Sequence, residues 1–322
     1  MAMKFIRLLP FVFFFFTHFA SAQVIMPEII EIEEKEAADT SYTYQWDEES
    51  GGWIIYGRDI NYYDEDKNLS SVLNQRWDTI NKIWENFEQE LKDYDKEGRE
   101  MQSTIQSWDK DEKDWINVQL KTTTYDKRGN EAEILYQEWS RAAEEWLNTV
   151  LYLITYTITA EKSQVLIRTY SPYEAEWFNH QRFNFLYDNI YRPPAEVIVE
   201  GWNRESEQWN QSGRYVMSYN IRGDKTREIR LTWSPSLDDW IEGVRFNIRY
   251  RRGLKQEEIE QKWNSQTDEW INFNRVVYIY DDRGELEEEA IYAWNREEEE
   301  WVLDVRFLYS LQKPEDPETT SQ

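Results

Sequence analysis

The chain contains no cysteine, and only two of its 322 residues are histidine. Without cysteine there is no disulfide framework, no thiol nucleophile, no zinc–thiolate site and no attachment point for a lipid anchor. Beyond the first 22 residues there is also no apolar run long enough for a transmembrane helix, which needs about 20 residues. These absences exclude several classes of disulfide-stabilised, thiol-dependent and helical membrane proteins.

Basic residues are few relative to acidic ones, with 37 Lys and Arg against 63 Asp and Glu and a net charge of −26. A nucleic-acid backbone is bound by clustered Lys and Arg, so this balance argues against a nucleic-acid partner. Aromatic residues, in contrast, are abundant, with 17 Trp, 21 Tyr and 14 Phe. Because disordered chains are poor in aromatic residues, we expect most of the chain to fold.

The N-terminus is typical of a cleavable secretory signal peptide. Lys4 and Arg7 precede an apolar stretch that includes Phe11–Phe16, and the segment finishes on Ala20-Ser21-Ala22, the small-x-small pattern that a signal peptidase cuts. We therefore predict a signal peptide over residues 1–22, cut after Ala22. The mature protein is expected to be secreted, periplasmic or exposed at the cell surface.

A repeat of about 31 residues organises most of the remaining chain. Its first aromatic series is Trp46, Trp77, Trp108, Trp139, Tyr170, Trp202, Trp233, Trp263 and Trp294. A second series follows seven residues behind, at Trp53, Trp84, Trp115, Trp146, Trp177, Trp209, Trp240, Trp270 and Trp301. A tyrosine ten residues later completes the pattern at Tyr63, Tyr94, Tyr125, Tyr156, Tyr187, Tyr219, Tyr250 and Tyr280. Nine copies of one spacing predict a tandem-repeat protein.

Each repeat is predicted to be two β-strands joined by tight turns. In Trp115–Tyr125, apolar and polar residues alternate at period two, as in a strand with two unlike faces. The segment Tyr125–Asn130 fits a three-residue hairpin loop with Gly129 in the left-handed conformation. The predicted fold is all-β, an antiparallel meander of about 18 strands in an elongated, twisted or superhelical sheet, with a closed barrel as the alternative.

The predicted organisation has four parts. A lead-in segment at 23–41 follows the signal peptide, a single repeat domain of nine hairpin repeats covers 42–312, and a Pro/Glu/Thr-rich tail at 313–322 is expected to be disordered. The fifth repeat, at about 163–193, is the least regular, because Tyr170 replaces the first Trp and Arg192-Pro193-Pro194 follows it. We expect a bend, a degenerate spacer or a functional site there.

The paired tryptophans allow two interpretations that do not exclude each other. The two rings of each Trp-x6-Trp hairpin are expected to lie opposite each other and to clamp the hairpin, as cross-strand aromatic pairs do. Alternatively, rings left partly exposed form a ligand-binding ladder with polar residues beside them. All 17 tryptophans are therefore candidates for a hairpin clamp or a binding site.

The recurring motif resembles known bacterial repeats. Tyr125-Asp126-Lys127-Arg128-Gly129-Asn130 is similar to the Tyr-Asp (YD/Rhs-type) repeats of exported bacterial proteins. The wider pattern, Trp-x6-Trp followed by Tyr-Asp-x-x-Gly as in Tyr278–Gly284, more closely resembles uncharacterised secreted bacterial tandem-repeat proteins. The resemblance covers about residues 42–310 and implies a β-rich surface or extracellular protein without a defined chemistry.

No catalytic motif stands out, so the sequence predicts a protein that is not an enzyme. There is no Gly-x-Ser-x-Gly, no phosphate-binding loop and no His-Glu-x-x-His. His180 is expected to be a surface or packing residue, because a general base needs a partner. No cofactor is predicted, although acidic turns such as Asp109–Asp114 suit weak Ca²⁺ binding.

The predicted function is that of an exported structural or binding element. A secreted polysaccharide-binding protein that uses the Trp/Tyr ladder is the alternative. The expected partner is accordingly a surface or extracellular protein or a polysaccharide, not a nucleic acid.

Overall fold

The fold is that of a computed structural model, which describes residues 40–47, 52–189 and 193–308. The predictions about the signal peptide, most of the lead-in segment and the C-terminal tail lie outside these residues. Within them, no helix has the length and the apolar character needed to cross a membrane.

Eighteen strands account for the regular structure of the described residues. They are β1 (Thr40–Asp47), β2 (Gly52–Tyr63), β3 (Leu69–Asp78), β4 (Ile83–Tyr94), β5 (Glu100–Asp109), β6 (Asp114–Tyr125), β7 (Glu131–Ser140), β8 (Glu145–Tyr156), β9 (Lys162–Ser171), β10 (Glu176–Leu186), β11 (Glu196–Asn203), β12 (Gln208–Tyr219), β13 (Lys225–Ser234), β14 (Asp239–Arg251), β15 (Leu254–Asn264), β16 (Glu269–Tyr280), β17 (Leu286–Asn295) and β18 (Glu300–Leu308). Consecutive strands pair antiparallel, so the chain forms one open meander sheet. The predicted all-β meander is confirmed, and the closed alternative is wrong.

The described chain divides into two compact units. The first unit contains the described residues up to 92 together with 106–116, and the second contains 93–105 and the described residues from 117 onward. Each unit is built from the same two kinds of turn, one after each first strand of a repeat and one after each second strand.

The first kind of turn joins the paired aromatic positions. In the hairpin of β7 and β8, Trp139 lies opposite Trp146 and Ser140 opposite Glu145, which leaves a four-residue loop. The last loop residue, Glu144, has a φ of 53°. The equivalent residue is also left-handed in seven other hairpins, at Lys82, Lys113, Ala175, Glu207, Asp238, Asp268 and Glu299. We call the row of these hairpins the tryptophan rim of each unit.

The second kind of turn follows the repeated tyrosine. After Tyr125, the backbone N–H of Asp126 donates to the carbonyl of Asn130 at 2.7 Å, and Gly129 between them has a φ of 89°. The Asp126 carboxylate accepts hydrogen bonds from the side chain and backbone of Asn130 and from the backbone of Arg128, and these bonds hold the pKa of Asp126 below its usual range. The predicted three-residue loop with a left-handed glycine is confirmed. These turns form the tyrosine rim.

The conformation of this turn makes a stability prediction with a matched pair of variants. Ala160 occupies the position of Gly129 in the next turn and has a φ of 72°, a left-handed conformation that strains a residue with a Cβ. We expect Ala160→Gly to raise the free energy of unfolding by about 0.5–1 kcal/mol and Gly129→Ala to lower it by about 1–2 kcal/mol. Chemical denaturation of both variants checks this, and effects of the same sign would contradict the assigned turn.

The repeated tyrosines link successive turns of the tyrosine rim. Tyr125 donates its hydroxyl to the carbonyl of Glu100 at 2.7 Å, and Tyr156 donates to Glu131 at 2.9 Å. Tyr187 and Tyr219 make the same bond to the residue 25 positions earlier. Burial raises the pKa of Tyr156 and Tyr219 to about 12, which keeps these hydroxyls protonated as donors. These four tyrosines of the third aromatic series therefore each bond their turn to the one before it.

A β-bulge lies three residues after the second aromatic position of a repeat. Between Tyr136↔Val150 and Gln137↔Asn148 the register skips Thr149, and the equivalent skip in β10 leaves out His180. Such bulges increase the twist of a sheet and re-aim the unpaired side chain.

Most of the buried apolar side chains lie on the sheet face opposite the tryptophans. Successive side chains along a strand point to opposite faces of the sheet. Val197 and Val199 precede Trp202 by an odd number of residues, so their side chains lie on the face opposite the Trp202 ring. Both are almost fully buried, at 0% and 2% exposure, and Phe183, which lies opposite Val199 in the register, is 3% exposed. The tryptophan face therefore carries the polar and aromatic groups that remain available at the surface.

Candidate functional site

The paired aromatic rings of the tryptophan rim share one geometry. In the eight hairpins whose ring contacts are described, the centroids are 4.9–5.2 Å apart and the rings meet edge to face at 60–71°. Edge-to-face contact is the favoured arrangement of aromatic pairs and contributes about 0.5–1.5 kcal/mol beyond area burial. Tyr170 and Trp177 keep it at 5.2 Å, so the fifth repeat is regular at this rim.

Both interpretations of the tryptophans find support in their exposure. The fifteen tryptophans from Trp77 to Trp301 are all intermediate in exposure, neither buried nor fully exposed. Each pairs with its hairpin partner and still presents part of its ring to solvent. Trp46 and Trp53 lie opposite each other in the backbone register of β1 and β2. The rim is therefore a clamp whose rings remain accessible along the sheet.

In three hairpins a hydrogen-bonded glutamine–asparagine pair lies next to the rings, two residues inside the hairpin. The Gln137 side chain donates to Asn148 at 3.0 Å, and the same bond joins Gln261 to Asn272 at 2.8 Å. In the fifth repeat Arg168 replaces the glutamine and donates to Asn179 at 3.1 Å. Aromatic faces beside amide donors and acceptors are the usual contents of a site for a polar, flat ligand.

Arginines cover the second tryptophan of some repeats. The guanidinium of Arg58 lies 4.5 Å from the Trp84 ring centroid, Arg182 lies 4.5 Å from Trp209, and Arg245 lies 4.6 Å from Trp270. Each arginine comes from the second strand of the preceding repeat. These cation–π contacts orient three of the indoles, and they were missed because the sequence signal is only an arginine 25–27 residues before a tryptophan.

Two shallow grooves open between neighbouring hairpins of the rim. The first, in the first compact unit, has a volume of about 300 Å³ and lies between Trp84 and Trp108, with Asn86, Lys110 and Lys113 in its wall. The second, in the second compact unit, has a volume of about 340 Å³. Its wall contains Trp263, the loop residues Asn264, Ser265 and Gln266, the aliphatic Ile271, and two cations, Lys262 and Arg296. Trp84 and Trp108 line the first of these grooves, and Trp263 lines the second.

Two carboxylates with perturbed pKa lie apart from the rim. Asp59, Asn74 and Glu88 are aligned across β2, β3 and β4, and the Asn74 amide donates to Asp59 at 2.5 Å. Burial raises the pKa of both Asp59 and Glu88 above the usual carboxyl range, although the nearby Arg76 opposes the shift. This row was not identified from the sequence, because nothing in the spacing distinguishes it among 63 acidic residues.

The raised pKa of Glu88 predicts how stability depends on pH. Because the folded state holds the Glu88 proton more tightly than the unfolded chain does, its contribution is fully present below the ordinary carboxyl pKa of about 4.3 and is lost as pH rises through the folded-state pKa. We compare the free energy of unfolding of the wild type with that of Glu88→Gln. The value for the wild type minus the value for the variant is expected to be largest at acid pH and to fall towards neutral pH. Urea denaturation of both chains between about pH 4 and 8 measures it, with Glu112→Gln at an exposed position as the control. A difference that rises with pH would contradict the assignment.

The remaining candidate residues lie singly on the surface or in turns. His180 is the exposed bulge residue of β10. The acidic turn at Asp109–Asp114 uses Asp109 to accept the backbone N–H groups of Asp111 and Glu112. Across the described residues no group of three or more metal-ligating side chains is assembled.

Comparison with known proteins gives structural similarities only. No protein-family model matches the sequence, and no curated protein matches it. Among solved structures, a protein of unknown function from Bacteroides fragilis is 18% identical over 41% of this chain and 93% of its own, with a TM-score of 0.37. A DUF3836 family protein from Bacteroides vulgatus is 21% identical over 28% of this chain and 90% of its own, at 0.24. A porin-like protein from Bacteroides uniformis is 8% identical over 83% and 94%, at 0.37. At such TM-scores these similarities support no assignment of function.

Proposed function

We propose that the protein is an exported, non-enzymatic β-repeat protein that binds an extracellular or surface polysaccharide along its tryptophan rim. The observation that carries this proposal is the half-exposure of the paired tryptophans, which in three hairpins lie beside a glutamine–asparagine pair. Sugar rings present flat C–H faces that stack on indoles and hydroxyl groups that bond to amides, and a repeated site suits a repeated ligand.

The spacing of the rim supports a polymeric ligand. Adjacent strands of a sheet lie about 4.7–4.9 Å apart, so successive hairpins within a unit recur at roughly 9–10 Å. A polymer that follows the rim meets an aromatic pair at each such interval, and several weak contacts on one chain combine into useful avidity. The grooves lined by Trp84, Trp108 and Trp263 are the positions at which we propose that the rings contact the polymer.

The test separates ligand binding from the clamp. The full chain is run on native gels that contain soluble xylan, mixed-linkage β-glucan, galactomannan or hydroxyethylcellulose. We expect at least one polymer to retard the wild type, and we expect Trp84→Tyr and Trp108→Tyr to lose much of that retardation. Tyrosine keeps the clamp, as the Tyr170–Trp177 pair shows, but offers a smaller stacking face.

Trp139→Tyr is the matched control: Trp139 belongs to the rim but lines neither of the two grooves, so we expect it to lose less retardation than the groove variants. A larger loss of retardation in the groove variants, with unchanged melting temperatures, supports the binding role. If no polymer retards the wild type, or if Trp139→Tyr loses as much retardation as the groove variants, the proposed site is wrong.

A further inference from the structure

The groove of the second unit carries an unusual charge for this protein. The chain has a net charge of −26, yet the wall of this groove contains Lys262 and Arg296 and no acidic residue. Within the described part of the chain, neither cation has an ion-pair partner, and the Lys262 ammonium lies 3.1 Å from the centroid of the Phe273 ring. The groove is thus a small positive site on an acidic protein.

Cations at the same loop position are neutralised in other hairpins. Arg204, equivalent to Arg296, bonds to Glu174 at 3.0 Å and lies 3.7 Å from the Phe178 ring centroid. Lys110, also equivalent, bonds to Glu85 of the preceding hairpin. Opposite Arg296, the residue equivalent to Glu85 is Ile271, which cannot form an ion pair. Glu85 is the one acidic residue at this position, which is aliphatic in most repeats, namely at Ile54, Ile116, Leu147, Ile241, Ile271 and Val302, so Arg296 meets no carboxylate there.

We propose that this groove binds an acidic substituent, a carboxylate or a sulfate ester, on an otherwise neutral polysaccharide; this inference rests on the proposed function. Arg296 bonds to the anionic group, and Lys262, which also lines the groove, adds positive charge beside it. Charge-assisted hydrogen bonds of this type are about twice as strong as neutral ones. Asn264, Ser265 and Gln266 provide the polar contacts for the neighbouring hydroxyl groups.

The surrounding charge restricts the ligand to a sparsely charged polymer. Glu297–Glu300 follow Arg296 in the same loop and are exposed, but none of them lines the groove. At physiological ionic strength the Debye length is about 8 Å, so carboxylates farther away weaken a local contact little, whereas Glu297, which directly follows Arg296, remains a competing charge. A densely charged polyanion meets the whole acidic surface and is repelled, whereas a polymer with scattered acidic groups is not.

The experiment compares three derivatives of one backbone on the full chain. They are hydroxyethylcellulose, carboxymethylcellulose and cellulose sulfate, the two charged polymers at low and equal substitution. We expect at least one charged derivative to bind about tenfold more tightly than the neutral one, as one additional charge-assisted bond predicts. Binding of one or of both charged derivatives shows whether the site selects carboxylate, sulfate or either anion.

Matched charge variants locate the site. Arg296→Gln is expected to remove most of the preference, while Lys127→Gln, which removes one positive charge at an exposed turn of the tyrosine rim, is expected to leave it intact. Equal binding of all three derivatives, binding of none of them, or an equal effect of the two variants overturns the inference. If the anion-binding inference failed while neutral polymers still retarded the protein in the gels described above, the proposed function would stand. Failure of the inference is therefore distinguishable from failure of the proposed function.

Discussion

Replacing Trp139 with alanine is expected to lower the free energy of unfolding by about 2–3 kcal/mol. The indole is half-buried and makes an edge-to-face contact with Trp146 at 5.1 Å, so its loss removes both apolar burial and the ring pair. Buried tryptophans cost roughly 3–5 kcal/mol on truncation to alanine, and the exposed part of this ring reduces that figure. Urea denaturation measures the loss, and hydrogen exchange is expected to show it first in β7 and β8, since repeat stability is a sum over neighbours.

Trp139→Tyr provides the control for this prediction. The fifth repeat already has a tyrosine, Tyr170, at this position. Its ring centroid lies 5.2 Å from that of Trp177, against 5.1 Å between Trp139 and Trp146. We therefore expect the tyrosine variant to lose less than about 1 kcal/mol. Equal losses of free energy of unfolding in the alanine and tyrosine variants, or no loss in the alanine variant, would show that the aromatic pair does not stabilise the hairpin.

Replacing Phe183 with alanine is expected to cost about 3–4 kcal/mol, the largest single effect on stability. The side chain is 3% exposed and lies opposite Val199 and Val165 in the register of β10 with its two neighbours. Truncation leaves a cavity among these β-branched residues, which cannot collapse around it because their χ1 angles are fixed. Thermal and urea denaturation of the variant give the magnitude.

Phe87→Ala is the matched control for the buried phenylalanine. Phe87 occupies the bulge position of β4 and is 42% exposed, with the Arg76 guanidinium 4.3 Å from its ring centroid. Its truncation is expected to cost about 1 kcal/mol, mostly from the cation–π contact. Equal losses for the two variants would show that the core does not lie on the face opposite the tryptophans.

The sequence predicted the parts of the fold that repeat at fixed spacing. The Trp-x6-Trp spacing placed Trp139 opposite Trp146 because seven residues leave a four-residue loop between facing positions. Gly129 marked the left-handed residue of the second turn because only glycine adopts that conformation without strain. Both follow from local chain geometry, which one sequence contains in full.

The parts that depend on contacts between strands could not be predicted. The bulge at Thr149 has no residue signature, since the same position holds His180 in β10 and Gly243 in β14. The bond from Tyr156 to the Glu131 carbonyl joins residues 25 positions apart and depends on the strand register. The free charge at Arg296 was hidden as well, because it depends on which residue of the preceding hairpin faces it.

The fifth repeat keeps its aromatic pair despite its irregular sequence. With Tyr170 in place of tryptophan, the ring pair and the Tyr187 hydrogen bond to Lys162 are both retained. The substitution conserves what the clamp requires, which is an aromatic edge against a face.

The most direct test of the account is a titration of the full chain with the soluble polysaccharides named above. Intrinsic tryptophan fluorescence is the signal measured during the titration. The account predicts a saturable change in emission with at least one polymer, because sugar rings that stack on Trp84, Trp108 and Trp263 displace water from half-exposed indoles. The change should be smaller in the Trp84→Tyr/Trp108→Tyr double variant, which keeps its clamps. Emission that stays constant with every polymer, in a protein shown to be folded, would contradict a ligand-binding rim and leave the tryptophans as clamps alone.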